Sequence, residues 1–542
     1  MAMHGTLPVL IVGAGPSGLM TAHELARFGV SFVIIDKATT HSPYSRAIGV
    51  QIRTLEIFKA LGLYEKLKEK SWPVKGAEIY AEGREPIFID LGATSSSLLN
   101  PLMIDQTHTE ATLEAAVMGL GQKILWQHEL VHMVQQDDAV VATIKDSQGD
   151  INSMKCSYVV GADGAHSIVR KSMSAQFMGT SYDDAFILAD VELHHTHDKD
   201  HFCIYFKDKK FLAIIPMFGP NHFRLISVRR GERSKEGPPP TIEEFNTLMR
   251  DIAPSYTIEN SFWVSRFFVQ CRSTNHYQEK RVFVVGDAAH IHSPAGGQGM
   301  NTGLQDAFNL AWKIAFVLKG VATEELLVTY HQERKPVGDF LIDRTDRLFK
   351  FMVKSSLWAR ALRRFVLPWF AKSPELIKKF SKILSQTAIR YDEGARCDHT
   401  SHINFHGLRV GERVIDFLVI SSHLKKTSVQ ALASTLAVSV LFFVPKTSSK
   451  NKVKEIHQAI HRLADAYGQT VTCYLIFEND FHAEKHVQDG EYLVWCDEHS
   501  FPLEPVFIAL RPDHHVMCLG PLHEVDEFSR SILHYFRTLR GS

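Results

Sequence analysis

Three stretches of this chain set glycines beside acids where a nucleotide could be held. In Gly13-Ala-Gly-Pro-Ser-Gly18, the residues Gly13, Gly15 and Gly18 permit a tight turn that brings backbone N–H groups against a pyrophosphate at a helix N-terminus. Asp36, followed by Lys37, stands 23 residues after Gly13, where a carboxylate can accept hydrogen bonds from a ribose. Gly161-Ala-Asp-Gly-Ala-His-Ser167, running on to Arg170, offers Asp163 at the end of a second apolar run. The longest stretch, Arg281 to Asn301, contains Gly286-Asp287, Pro294 and the glycine-rich Gly296-Gly-Gln-Gly-Met-Asn301. There Asp287 can meet the hydroxyls of a sugar-like chain. Gly297, Gly299, Met300 and Asn301 open a helix whose N–H groups favour developing negative charge.

These motifs need strands that end at the glycines. Leu7 to Val12 is a short apolar run, Ser17 to Arg27 has helical spacing, and Ser31 to Asp36 is apolar again: strand, helix, strand. Such alternation predicts a parallel sheet in an α/β domain, here a Rossmann-like unit over 1–177. From 178 to 268 the runs are short and broken by Gly219-Pro220 and Pro238-Pro-Pro240, which predicts an inserted antiparallel sheet for substrate binding. The first domain then resumes over 269–400 with a helical region interrupted by Pro336, Pro368 and Pro374, and a separate domain occupies 401–542.

At 542 residues the chain is long enough for several cores. Lysine plus arginine equals aspartate plus glutamate at 60 each, so no overall field recruits nucleic acid or a membrane surface. No run reaches the roughly 20 apolar residues needed to span a bilayer. Seven scattered cysteines without a CxxC pair fit a reducing cytoplasm and argue against a cysteine-rich zinc site. His194-His195-Thr-His197 with His201, His290-Ile-His292 and His514-His515 have metal-compatible spacing but lack nearby cysteine or paired carboxylates, so no metal is expected.

Together the motifs resemble the FAD-dependent aromatic monooxygenases, the para-hydroxybenzoate hydroxylase-like group. Smaller matches agree in order: Arg46-Ala47 with Arg53-Thr-Leu-Glu56, Gln106 with Glu110, and Tyr330 with Glu333 to Pro336. The resemblance implies FAD, reduced by NADPH or NADH without a second nucleotide domain, and O2 delivered through a flavin C4a-hydroperoxide to a phenolic or polycyclic substrate. It implies that Asp163 and Arg170 support both cofactors, that Arg46 and Gln106 line the FAD cleft, and that Asp287 holds the ribityl chain. The resemblance also implies that Pro294 lies beside the isoalloxazine and that Arg46 and Pro294 are the catalytic positions. The tail, with Ile508 to Asp513, resembles the phenol and polyketide hydroxylase branch, whose last domain is thioredoxin-like. That tail reads as structural or as the seat of a homodimer.

No general base stands out. Tyr205, His222 and Arg224 are candidates and equally ordinary strand residues, and Phe202, Phe206, Phe211 and Phe218 suit either a pocket or a core. Epoxidation, Baeyer–Villiger insertion and a non-catalytic FAD carrier remain open on the same fold, whereas the halogenase Trp-x-Trp-x-x-Pro pattern is missing.

Overall fold

A computed structural model describes residues 7–42, 47–92, 99–195, 199–231, 237–293, 296–353, 369, 373–397, 405–421, 426–478, 493–495, 501–532 and 534–538. The first sheet has six strands in the order Gln278–Glu279, Val282–Val284, Tyr158–Gly161, Val9–Val12, Phe32–Asp36, Ile124–Trp126. All but the Gln278–Glu279 edge pair in parallel. Val9–Val12 is buried throughout, as a strand covered on both faces must be. The helix Pro16–Arg27 packs on it, flanked by Gln106–Gly119 and Gly299–Leu318, and Leu130, Val140 and Ala142 of a three-stranded antiparallel sheet share the same core.

The second sheet has eight strands and is not continuous in sequence. Its long central pair, Phe177–His195 and Tyr256–Thr274, is antiparallel and interrupted by bulges. His222–Arg229, Lys210–Pro216 and His201–Lys207 extend it, and the edge is completed by Gly76–Ala81 and Ile87–Asp90. Gly76–Ala81 runs parallel to His201–Lys207, so a segment that follows the first strand–helix–strand unit becomes part of this sheet. Alternation sorts its side chains. Ile187, Leu212, Ile214 and Leu225 pack under the helix Ile242–Ile252, while Phe186, Phe211, Ala213 and Ile215 take the other face.

Pro336 does not interrupt the helical region as its sequence suggests. The helix Glu325–Val353 runs through it, because the buried Tyr330, Glu333, Arg334 and Leu341 fix both flanks by tertiary contacts that outweigh the missing N–H. Pro368 lies outside the described residues, and Pro374 opens the helix Pro374–Leu384.

The C-terminal part builds a seven-stranded sheet. Val438–Val444 and Val471–Phe477 are parallel and joined by the helix Lys450–Tyr467. Val506–Leu510 and Val516–Pro521 follow antiparallel, with the helix Val525–Ile532 after them. This βαβ–ββα order is thioredoxin-like. The unit is not separate from the first domain, since Arg511, Asp513, His514 and His515 are buried against its helices.

Candidate active site

The three glycine motifs converge at the carboxyl ends of the parallel strands. Gly13 has φ of 104°, and a side chain there would strike the backbone of Ala162, so only glycine lets the first loop meet the second. A side chain at Gly18 would strike the Gly13 carbonyl. Gly15 is different: a Cβ there would meet nothing within 4 Å. Gly15 is also the N-cap of the helix Pro16–Arg27 and makes no side-chain capping bond, so its turn presents N–H groups to an open cradle that suits a pyrophosphate.

Asp36 accepts from the N–H groups of Ala14 and Ala38, each at 2.8 Å, and each oxygen keeps a lone pair for a ribose hydroxyl. Lys37 is exposed beside it. Gln106 opens its helix and donates to Glu110 at 2.8 Å. Glu110 and Glu114 clasp His41 at 3.2 and 2.8 Å, and their hydrogen bonds raise the imidazole's pKa against the opposing effect of burial. Arg46 and Pro294 lie outside the described residues.

On the flavin side, Asp163 Oδ2 accepts from the N–H groups of Ile168 at 2.7 Å and Val169 at 3.2 Å. Its Oδ1 is buried without a partner among the described residues, and burial raises the carboxyl pKa. An orphaned buried acceptor fits a loop completed by a bound group. Arg170 points elsewhere: it donates to the carbonyls of Ala165 and Ala288, both at 2.8 Å, and stacks on Phe177. It therefore ties the second motif to the third.

Asp287 is the single exposed residue between Val282 and His290. Gly286, at φ of 57°, lies so close to Ser17 that a side chain would collide with it, which places this turn beside the first. Beneath the turn, Asp306 accepts from Gly286 N–H at 3.2 Å, His290 Nε2 at 2.7 Å and Arg334 Nε at 2.7 Å. Burial opposes its charge, but Arg334 and His290 prevail and hold the carboxyl down to about 2. With Nε2–H given to Asp306, His290 Nδ1 accepts from His292 Nε2–H at 3.1 Å. Burial, helped by His290, pushes His292 down to about 3 and keeps it neutral beside Gly299.

Gly296 and Gly297 have φ of 94° and 61° and curl the chain into the helix Gly299–Leu318, whose N-cap Gln298 makes no side-chain capping bond. Gly299 and half-buried Met300 form its first turn. Asn301 is fully buried and works inside the protein, donating to the carbonyls of Gly49 and Gly297 and accepting from Gln51 N–H, each at 2.9 Å. It bolts the 49–51 segment to the glycine loop.

That segment also touches the second sheet. Ile48 and Met103 pack with Val74, Phe186, Phe206, Phe211, Ile215 and Met217, so one apolar face of the sheet abuts the flavin loop. Among the candidate bases, Tyr205 is on the opposite face, stacked on Tyr80 at 4.5 Å. His222 sits at the strand end, its Nδ1 3.2 Å from the Phe218 carbonyl oxygen. Arg224 shares the flavin-side face but is buried in a pair with Asp190, two bonds of 2.6 Å, and reaches Asp105 at 3.2 Å. Phe202 and Phe206 border that face, while Phe218 is exposed. Sequence reasoning missed Asp105, Asp190, Asp306 and Arg334 as site-building residues. The only available signal was a charged residue within an apolar run, as at Asp190 and Asp306.

Residues 6–345 match the family model described as FAD binding domain, and the chain belongs to that family. Over 341 residues it is 37% identical to a 6-methylpretetramide 4-monooxygenase of Streptomyces rimosus, covering 62% of this chain and 60% of that protein. Over 392 residues it is 33% identical to a rifampicin monooxygenase of Streptomyces venezuelae, covering 71% and 80%. An aromatic hydroxylase from angucycline biosynthesis is 27% identical in structure-based comparison, with a TM-score of 0.74 over 95% of this chain and 96% of that one. The relatives are FAD-dependent monooxygenases of aromatic compounds, as the motifs led one to expect. No helix among the described residues is long and apolar enough to cross a membrane.

Proposed function

We propose that this protein hydroxylates a polycyclic phenolic substrate, using FAD, NADPH or NADH, and O2. The observation that carries the reading is the apolar face of Phe186, Phe206, Phe211, Ile215 and Met217 set against the loop that Asn301 anchors. Large flat aromatic rings bury well on such a face. Relatives that oxidise 6-methylpretetramide and rifampicin support a substrate of more than one ring. In this reading 1–177 and 269–400 hold FAD, 178–268 with the 76–90 edge holds the substrate, and 401–542 braces the first unit. The protein works in the cytoplasm, and a homodimer is the assembly to test by sedimentation.

When bound, FAD accepts hydride from the nicotinamide and activates O2. The protein's part is placement. The Gly15 turn and the N-terminus of the helix Pro16–Arg27 hold the pyrophosphate, Asp36 the ribose and Asp287 the ribityl hydroxyls. The positive end of the helix beginning at Gly299 would favour negative charge on the bound flavin. Asp163, beside the Gly13 turn, would pair its orphaned Oδ1 with the bound group, and Arg170 keeps the two motifs together. Asp306, between Arg334 and His290, fixes the turn beneath, while the apolar sheet face excludes water from the reacting ring. Arg46 and Pro294 are assigned to the catalytic edge by family likeness.

NADPH and NADH oxidation by the yellow protein, measured across phenols, aromatic acids and polycyclic quinones with mass spectrometry of products, tests the proposal. Stimulated oxidation with one oxygen atom added is expected. Oxidation that yields only hydrogen peroxide with every compound, or a ring-expanded lactone product, would overturn hydroxylation.

A further inference from the structure

On the face of the second sheet turned away from the flavin loops, Glu78, His201 and Cys203 bring three different donors together. A carboxylate oxygen, an imidazole nitrogen and Sγ lie within 4.8 Å of one another. The placement follows from register: Cys203 pairs directly with Glu78 across the parallel strands, and His201 is two residues earlier on the same face. His201 Nδ1 is bonded to Asp200 at 2.7 Å, and Asp200 is held in turn by Lys75 at 2.8 Å. In the tautomer with the ring proton on Nδ1, the Nε2 lone pair faces the cluster.

The consequence is an unresolved contact. Nε2 stands 3.2 Å from Glu78 Oε2 yet is buried without a hydrogen bond among the described residues. Glu78 already accepts from the Tyr80 hydroxyl at 2.7 Å, so two acceptor atoms face each other beside a thiol. Only a proton or a cation relieves that contact. A carboxylate–histidine pair aiming nitrogen at a cysteine and a second carboxylate is the outer-sphere arrangement of metal-binding histidines.

We propose that Glu78, His201 and Cys203 bind a zinc ion, with Asp200 orienting His201 and water in the fourth position. Bond lengths of about 2.0–2.3 Å require donors about 3.3–3.7 Å apart, so side-chain rotations of roughly an ångström close the site. Burial pushes the Cys203 thiol up to about 11, so binding must expel its proton to solvent as the sulfur–zinc bond forms. The ion would staple Gly76–Ala81 to His201–Lys207, the parallel pair that joins the inserted sheet to the first part of the chain. This departs from the sequence expectation of no metal, since the donors come from strands more than a hundred residues apart.

The test is equilibrium dialysis of the FAD-bound protein against zinc after chelator treatment, with elemental analysis. One zinc per chain is expected in the wild type, with affinity falling at least tenfold in Cys203→Ser and His201→Gln and about 10–100-fold in Asp200→Asn. Zinc should raise the melting temperature of the wild type but not of these variants, while flavin content stays unchanged. Absence of stoichiometric zinc in the wild type, or undiminished binding by Cys203→Ser, would overturn the site. If the variants do not fold, anomalous diffraction at the zinc edge on wild-type crystals decides it: a peak elsewhere, or none, rejects the proposal.

Discussion

Arg511→Met probes the most charged part of the core. Arg511 donates to both oxygens of Glu333, at 2.6 and 2.7 Å, and to both oxygens of Asp513, at 2.9 and 2.5 Å. Lys313 meets Glu333 at 2.7 Å, and all four side chains are at most 2% exposed. Two cations thus balance two anions, and the variant leaves one negative charge in excess. Removing one partner of a buried pair costs about 3–5 kcal/mol, a large part of the roughly 5–15 kcal/mol that holds a domain folded. Urea unfolding followed by intrinsic and flavin fluorescence should show that loss. Adding Glu333→Gln restores one cation to one anion and should recover at least half of it. Burial opposes the Glu333 charge, but Arg511 and Lys313 hold its carboxyl well below the usual range. A depressed carboxyl stabilises the fold above its unfolded pKa and loses that contribution as pH falls towards the folded value. The gap between wild type and Arg511→Met should therefore narrow below about pH 4.5. A single variant within about 1 kcal/mol of wild type, or a double variant worse than the single, would refute this account.

Gly15→Val should weaken FAD binding more than tenfold while leaving the apoprotein's melting temperature within about 2 °C, because its side chain enters only the cradle; a large loss of apoprotein stability would contradict the open-cradle geometry. Gly13→Ala should lower that stability itself, by about 1–3 kcal/mol from backbone strain and collision, as seen in thermal unfolding. Asp287→Ala should emerge from purification largely colourless, and a variant with full flavin absorbance would remove Asp287 from the ribityl contact. Asp306→Asn should cost about 3 kcal/mol, since it leaves Arg334 buried without its anion, and cautious heating should release flavin earlier than in wild type.

The glycine motifs were legible because turn geometry is local. The strand ends and positive φ angles sit within a few residues of Gly13, Gly286 and Gly297, whereas the close approaches of Gly13 to Ala162 and of Gly286 to Ser17 are long-range and show only in the fold. The short runs of the second sheet foretold an antiparallel insertion, but not which face meets the flavin loop. Tyr205 looked as eligible as any base until pairing with Tyr80 placed it on the far side. Asn301 and Arg170 were read as cofactor contacts, and the bonds their side chains make among the described residues go to protein backbone groups. Arg224 with Asp190 and Asp105, or Arg511 with Glu333, is invisible in one dimension because the partners are 34 to 178 positions apart. Nothing local distinguishes such a charge from one that faces solvent.

The burial of Arg511 to His515 against the helix Gly299–Leu318 has a consequence for how the protein is made. Domains usually fold in order as they leave the ribosome, at about 5–20 residues per second. Here the nucleotide-binding half is translated first, yet Glu333 and Arg53 wait for the Arg511 guanidinium and the Asp513 carbonyl, encoded 178 and 460 residues later. During those tens of seconds Glu333 has Lys313 but not Arg511, and Arg53 lacks the Asp513 carbonyl. Cofactor capture is then a late event in biosynthesis, and a nascent chain stalled before residue 511 should retain little flavin.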